Sequence, residues 1–215
     1  MGSKVQTVET EGRELYKQFE PFRVNVPMGH SGKWSTSIMV SQVDLEYLRL
    51  WRDGRSPGVG SFTRLSCEGR GVIMSDTVPE ITDLLHDIWN LQGRVLVSGL
   101  GLGMVIHILT KIPRFSDNLK SITVIEKELD VIKLVGQHYL DSDPRVTILL
   151  GDTNTYSMPS GTEFDSAWHD IWDSMHGDNL EKMKQLRKHH KPWVSTRKQF
   201  CWGERYLKAE KRRYG

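Results

Sequence analysis

The stretch RVLVSGLGLGMVIHIL, residues 94–109, constrains the fold more than any other part of the chain. An apolar run of strand length passes through three alternating glycines straight into an apolar run of helix character. Glycine accepts positive φ and lets a neighbouring backbone or ligand press against it, so three of them mark a tight strand-to-helix turn. The pattern then continues. SITVIEK leads into LDVIKLVGQHYL, RVTILLG follows DSDP, FDSAWHD is a fourth strand-like segment, and DNLEKMKQLRKHHK reads as a further helix. Strands alternating with helices predict an α/β fold whose mostly parallel sheet is covered on both faces. Right-handed crossovers would then place a ligand at the carboxyl ends of the strands.

The first 75 residues read differently. Residues 1–28 are polar and are expected to be partly mobile. STSIMVSQVDLEYLRLW starts like a strand and continues like a helix, and DGRSPGVGS is a loop by its glycines and proline. FTRLSCEGRGVIMS predicts two short strands turning at Glu68-Gly69-Arg70-Gly71. SDTVPEITDLLHDIWNL predicts a helix, with Asp76 or Thr77 as cap, Pro79 in the first turn, and Ile81, Leu84, Leu85 and Ile88 as its apolar stripe. PWVST is a candidate fifth strand, and KQFCWGERYLKAEKRR reads as helix or tail.

Several classes are disfavoured. No run of about 18 apolar residues predicts a membrane span, and the polar start lacks a signal-peptide core. The two cysteines, Cys67 and Cys201, make no metal-binding spacing and suit a reducing, cytoplasmic setting. Net charge is only +2, yet residues 182–215 carry 12 Lys/Arg against 2 Asp/Glu, leaving −8 for the remainder. Such a run reads first as a solvated helical face and second as a phosphate- or partner-contacting surface.

Acidic residues recur at successive strand ends. Glu126 closes the second strand of the alternating region, where a carboxylate can accept both hydroxyls of a ribose. Asp152 follows the third strand and can accept from an exocyclic adenine amine, and Thr153 can add a backbone or hydroxyl contact. Asp170 ends the fourth strand and faces the same crevice. Each of these residues could instead be a cap or turn former.

These segments together, RVLVSGLGLGMV, ITVIEKELDVIKL, DPRVTILLGDTNTY and FDSAWHDIWDS, resemble the Rossmann-like S-adenosylmethionine-dependent methyltransferases. More narrowly they resemble the spermidine-synthase branch of that superfamily, and short phage-borne methyltransferase-like proteins. The branch lacks the carboxylate at the end of its first strand, which matches Ser98. The resemblance spans residues 71–174. It implies a Rossmann-like domain over residues 76–215, with a basic C-terminal tail, preceded over residues 1–75 by an extension and a β-hairpin region. It implies Gly99, Leu100, Gly101 and Gly103 around the methionine moiety, Glu126 and Lys127 at the ribose, Asp152 and Thr153 at the adenine, and Asp170 with His169 at the transfer site. Three departures stand out. Leu102 replaces the Asp that the branch keeps in its glycine loop, the polyamine-positioning Tyr and Gln have no match, and the chain after Lys191 is short for a fifth strand plus a final antiparallel pair. The sheet is therefore expected to be truncated or completed by a partner subunit, such as a second copy in a homodimer.

Methyl transfer from a sulfonium is an in-line displacement, so most of the protein's work is placement of the two reactants. Proton removal helps where the acceptor is an amine or hydroxyl. In a strand His169 and Asp170 point to opposite faces, so only one of them should reach the ligand; the resemblance favours Asp170. Methylation of nucleic acid is disfavoured, because His169-Asp170-Ile171-Trp172 stands where amino-methylating DNA enzymes carry Asn/Asp-Pro-Pro-aromatic, and neither cysteine follows a proline. The expected function is S-adenosylmethionine-dependent methyl transfer to a small acceptor. The alternatives are aminopropyl transfer and a non-catalytic protein that keeps the cofactor fold to bind a partner.

Overall fold

The computed structural model describes residues 2–214. Two sheets organise the chain. The first is antiparallel, with strands β1 (Gly29–Ser31), β2 (Trp34–Ser41), β3 (Gly60–Cys67) and β4 (Gly71–Ser75) in that order. The second is entirely parallel, with β5 (Gly93–Ser98), β6 (Leu119–Glu126), β7 (Val146–Leu150), β8 (Ser166–His169) and β9 (Gln199–Cys201) arranged as β7-β6-β5-β8-β9. The order reverses at β5, the first of the five in the chain, which opens a crevice beyond the carboxyl ends of β5 and its neighbours. This is the parallel α/β arrangement that the alternation predicted and the Rossmann-like order that the resemblance implied.

Helices account for much of the remainder. Helix α1 (Gly2–Phe19) precedes the antiparallel sheet, α2 (Leu45–Arg52) links β2 to β3, and α3 (Val78–Ile88) leads into β5. Next come α4 (Met104–Lys111) and the short α5 (Pro113–Ser116), then α6 (Leu129–Val131) and α7 (Gln137–Ser142), joined by a π-helical segment at Ile132–Gly136. Helices α8 (Asn179–His190) and α9 (Glu204–Tyr214) flank β9. No helix among the described residues is long and apolar enough to cross a membrane.

One apolar core serves both sheets. Trp34, Leu65 and Cys67 of the antiparallel sheet pack in the same cluster as Val95 and Val97 of β5, Ile122 and Val124 of β6, and Ile106, Ile108 and Leu109 of α4. The inward faces of β5 and β6 carry β-branched residues, which suit strands buried on both sides.

Several local expectations need correcting or extending. Residues 2–19, for which the sequence suggested no regular element, form a helix whose described side chains are mostly half-buried or exposed. The predicted hairpin is the β3–β4 half of a larger sheet, because β2 pairs with β3 along its whole length. Asp76 does not cap α3. Its carboxylate accepts from the backbone N–H groups of Val24 (3.1 Å) and Thr63 (2.6 Å), while Thr77 occupies the cap position without a side-chain bond. Finally, PWVST is not a strand. The fifth parallel strand is Gln199–Cys201, inside the segment read as helix or tail, and among the described residues no antiparallel pair follows it.

Candidate functional site

The crevice at the switch point is a cavity of about 560 Å³. Its floor is the glycine turn after β5. Gly99, Gly101 and Gly103 have φ of 89°, 53° and 71°, which L-residues with a Cβ seldom adopt. The space beside each glycine is taken by the chain itself. A Cβ at Gly99 would meet the Asp170 carbonyl, one at Gly101 would lie 2.6 Å from the Met74 sulfur, and one at Gly103 would enter the Tyr139 ring. The turn is fixed further by the Leu102 N–H, which donates to Met74 Sδ (3.3 Å), and by the Tyr139 hydroxyl, which donates to the Leu102 carbonyl (2.9 Å). The three glycines are therefore required by packing and conformation before any ligand is considered.

Gly99, Leu100, Gly101, Glu126, Lys127, Asp152, Thr153 and Asp170 all line this cavity. Gly103 does not; it lies against Tyr139 at the start of α4. His169 does not either. Its ring is fully buried, with Nδ1 2.8 Å from Ser98 Oγ and Nε2 3.0 Å from Gln199 Oε1. Burial pushes its pKa down to about 3, so the ring stays neutral near neutrality. The structure thus places His169, the last residue of β8, inside the sheet and Asp170, just beyond the strand, on the crevice.

Glu126 is buried, and burial raises its pKa. One carboxylate oxygen accepts the N–H of Leu100 (2.7 Å), the other that of Glu128 (2.8 Å). Each oxygen keeps a further lone pair, so the group can still accept from a pair of hydroxyls. Asp152 Oδ1 accepts from the Asn154 backbone (2.9 Å) and side chain (2.8 Å), which holds its pKa low and leaves Oδ2 available. A carboxylate prepared for a diol and another prepared for an amine fit the ribose and base of an adenosine, and the cavity volume is of the right order for such a ligand.

The opposite end of the cavity was not legible in advance. It is built by the antiparallel sheet, α3 and the segment after β8. Trp34, Met74, Trp172 and Trp202 give it apolar walls, and Arg55, Arg70, Glu80, Asp83, Asp170 and Asp173 its charges. Arg55 pairs with Asp83 (3.0 Å), and Arg70 pairs with Asp173. Glu80 accepts from the Ser75 N–H (2.9 Å) and hydroxyl (2.6 Å) but has no cationic partner at salt-bridge distance among the described residues. Asp170 is half-buried. Burial, and then the charges of Glu80 and Asp87, push its pKa up to about 7. This end of the crevice therefore carries two carboxylates that form no salt bridge among the described residues, although the Arg55 charge acts on Glu80 from a distance. The Thr77-x-x-Glu80 spacing was the one available signal for Glu80. It resembles a capping box, but the carboxylate reaches back to Ser75 instead.

No protein-family model matches the chain, and no curated protein matches it. Among solved structures it is similar to a dimethyladenosine transferase from Plasmodium falciparum, at 15% identity over 53% of this chain and 37% of that one, with a TM-score of 0.37. It is also similar to an S-adenosylmethionine-dependent methyltransferase from Clostridium acetobutylicum, at 10% identity over 52% and 42% of the two chains and a TM-score of 0.35. A third is the CcbJ methyltransferase from Streptomyces caelestis, at 12% identity over 53% and 45% and a TM-score of 0.38. The matched part spans less than half the length of each of these structures.

Proposed function

We propose that this chain is an S-adenosylmethionine-dependent methyltransferase whose acceptor is a small, positively charged amine. The observation that carries the proposal is the convergence of Glu126, Asp152 and Asp170, from the ends of three parallel strands, on the one cavity that opens at the β5 glycine turn. Glu126 would hold the ribose hydroxyls and Asp152 the adenine amine. When bound, S-adenosylmethionine supplies a methyl group already activated by its positive sulfur.

The chain's own residues do the rest. Glu80 and Asp170 attract the acceptor's positive charge, and Trp172 and Trp202 offer aromatic faces to it. Asp170, with its pKa near neutrality, can take the proton from the acceptor nitrogen and free the lone pair that attacks. Walls of Trp and Met limit water at this end. An aminopropyl reading draws on the same two carboxylates. It loses the carboxylate in the glycine turn, because Leu102 is fully buried in the core and faces no ligand.

Calorimetric titration with S-adenosylmethionine, S-adenosylhomocysteine, methylthioadenosine and NAD tests the nucleoside half, followed by labelled-methyl transfer to panels of amines, phenols and carboxylic acids. Binding of the two intact sulfur nucleosides with transfer to amines is the expected result. Preference for methylthioadenosine, with turnover of a diamine and the decarboxylated nucleoside, would replace it by aminopropyl transfer. Failure to bind any of the four would sink both readings.

A further inference from the structure

The fold gathers the basic C-terminal segment on one edge of the molecule. Strand β9 ends the parallel sheet on that side, and α8 packs on α9 and on the turn at Thr196–Lys198 that leads into β9. Arg187 ties the parts together. Its Nε donates to the Gln199 carbonyl (3.1 Å), and its guanidinium pairs with Glu204 of α9.

The positive charge of this edge is mostly unpaired. The two helices carry only Glu181, Glu204 and Glu210 as carboxylates. Glu181 pairs with Lys184 (3.2 Å), and Glu204 is taken by Arg187 and by Lys208 (2.8 Å). Lys188, Lys191, Arg197, Lys198, Arg205 and Arg212 are all exposed, and none of them forms a salt bridge among the described residues. Arg205, Lys208 and Arg212 follow one face of α9 and border a second cavity of about 270 Å³. Asp87 lies on the same cavity and acts on Arg205 from a distance.

The chemistry of the surface narrows the partner. Among the described residues from 179 onward, Tyr206 is the one exposed large apolar side chain, and its hydroxyl donates to Asp83 (2.7 Å). A helix that lies on a membrane needs an apolar face to insert, and none is offered here. Protein interfaces are built on apolar and aromatic cores, with lysine depleted. Single-stranded nucleic acid is held largely by stacking on aromatic side chains. A broad array of unpaired Lys and Arg without apolar anchors fits a partner that presents regularly spaced phosphates on a rigid frame.

We propose that the edge formed by α8, the turn before β9 and α9 is a docking surface for the phosphate backbone of double-stranded nucleic acid, bound without regard to base sequence. The duplex is a surface partner and not the methyl acceptor, so the proposal stands apart from the reading of the crevice.

Fluorescence anisotropy of a labelled short duplex, measured over a salt series, tests it. The wild type should bind, and the logarithm of its affinity should fall with the logarithm of salt at a slope steeper than about −3. Lys188→Gln combined with Lys191→Gln, and Arg205→Gln combined with Arg212→Gln, should each weaken binding about tenfold or more and flatten the slope by about 1–2. Lys111→Gln combined with Lys120→Gln, in α4 and β6, should change neither. An equal loss in that third variant would mean attraction by overall charge and would overturn the surface. Tighter binding to one strand of the duplex alone, or binding to phosphatidylserine vesicles with none to the duplex, would overturn the choice of partner. No duplex binding at low salt would overturn the proposal altogether. The affinity for S-adenosylhomocysteine should be the same in the wild type and all three variants, so failure of the docking surface and failure of the crevice reading are separately visible.

Discussion

Replacing Asp170 by Asn should make the protein more stable at high pH and less active. The carboxyl is held at about 7 rather than at its ordinary 3.8. A folded-state pKa above the unfolded one means that the folded state binds the proton more tightly. Below about 4 both states are protonated and the site costs nothing. As pH rises toward 7 the unfolded state ionises first, and stability falls; above 7 the folded state carries the full cost of an ionised, desolvated carboxylate. At about 1.4 kcal/mol per tenfold change in proton affinity, that cost is roughly 4 kcal/mol at pH 8, with about 2–3 kcal/mol of it accruing between pH 5 and pH 8. Asn keeps the shape and removes the charge. Urea denaturation of both proteins at pH 5, 6.5 and 8 measures the difference, and Asp76, whose carboxyl burial also raises to about 6, titrates equally in both and cancels. The gain of Asp170→Asn should grow by about 2 kcal/mol over that range, or very roughly 4–8 °C in Tm for a chain of this size. Parallel stability curves would refute the raised pKa. If Asp170 takes the acceptor's proton, turnover should also fall by about 10²-fold or more, with nucleoside affinity retained.

Gly103→Ala should be far more damaging than Gly69→Ala. Both glycines have positive φ, 71° and 76°, but a Cβ at position 69 meets open space whereas one at 103 meets the Tyr139 ring. The first should cost about 1–2 kcal/mol for conformation plus about 1–3 for overpacking, the second the conformational part alone, and equal Tm shifts would show that packing at Tyr139 is not limiting. Glu126→Ala should abolish adenosine-nucleoside binding in calorimetry while a folded near-ultraviolet spectrum persists; unchanged affinity would remove Glu126 from the ribose site. Arg70→Ala breaks the pair with Asp173 that joins the β3–β4 turn to the segment after β8. It should raise the acceptor KM more than it lowers stability, because this pair is largely exposed and contributes well under about 1 kcal/mol to folding.

Much of the parallel sheet was legible in the sequence, since β5 through β8 are short apolar runs bounded by glycine, proline or acidic turns. β9 was not. It is three residues long and lies between a basic turn and a charged helix, so no alternation could develop. Helix α1 was hidden by its polarity. Of the site, the strand-end residues Glu126, Asp152 and Asp170 followed from topology, because the carboxyl ends of parallel strands share one edge. Arg70 and Met74 could not be foreseen, and Glu80 only through a spacing that reads as a capping box, because the way the antiparallel sheet docks on the switch point is set by three-dimensional packing. His169 and Asp170 were distinguishable by alternation alone, yet the partners that make His169 structural, Ser98 and Gln199, lie far from it in the chain.

The pairing of β5 with β8 has a bearing on how the molecule is made. Ser98 and His169 are 71 residues apart, and the strands that carry them are neighbours at the centre of the sheet. Contacts that close so long a loop form slowly. During synthesis β5, β6 and β7 emerge as a three-strand ribbon with one apolar edge of β5 uncovered and the Ser98 hydroxyl still without His169. Such an edge is a template for mispairing with another chain. The interval before β8 arrives is therefore the stage at which aggregation should compete most strongly with folding.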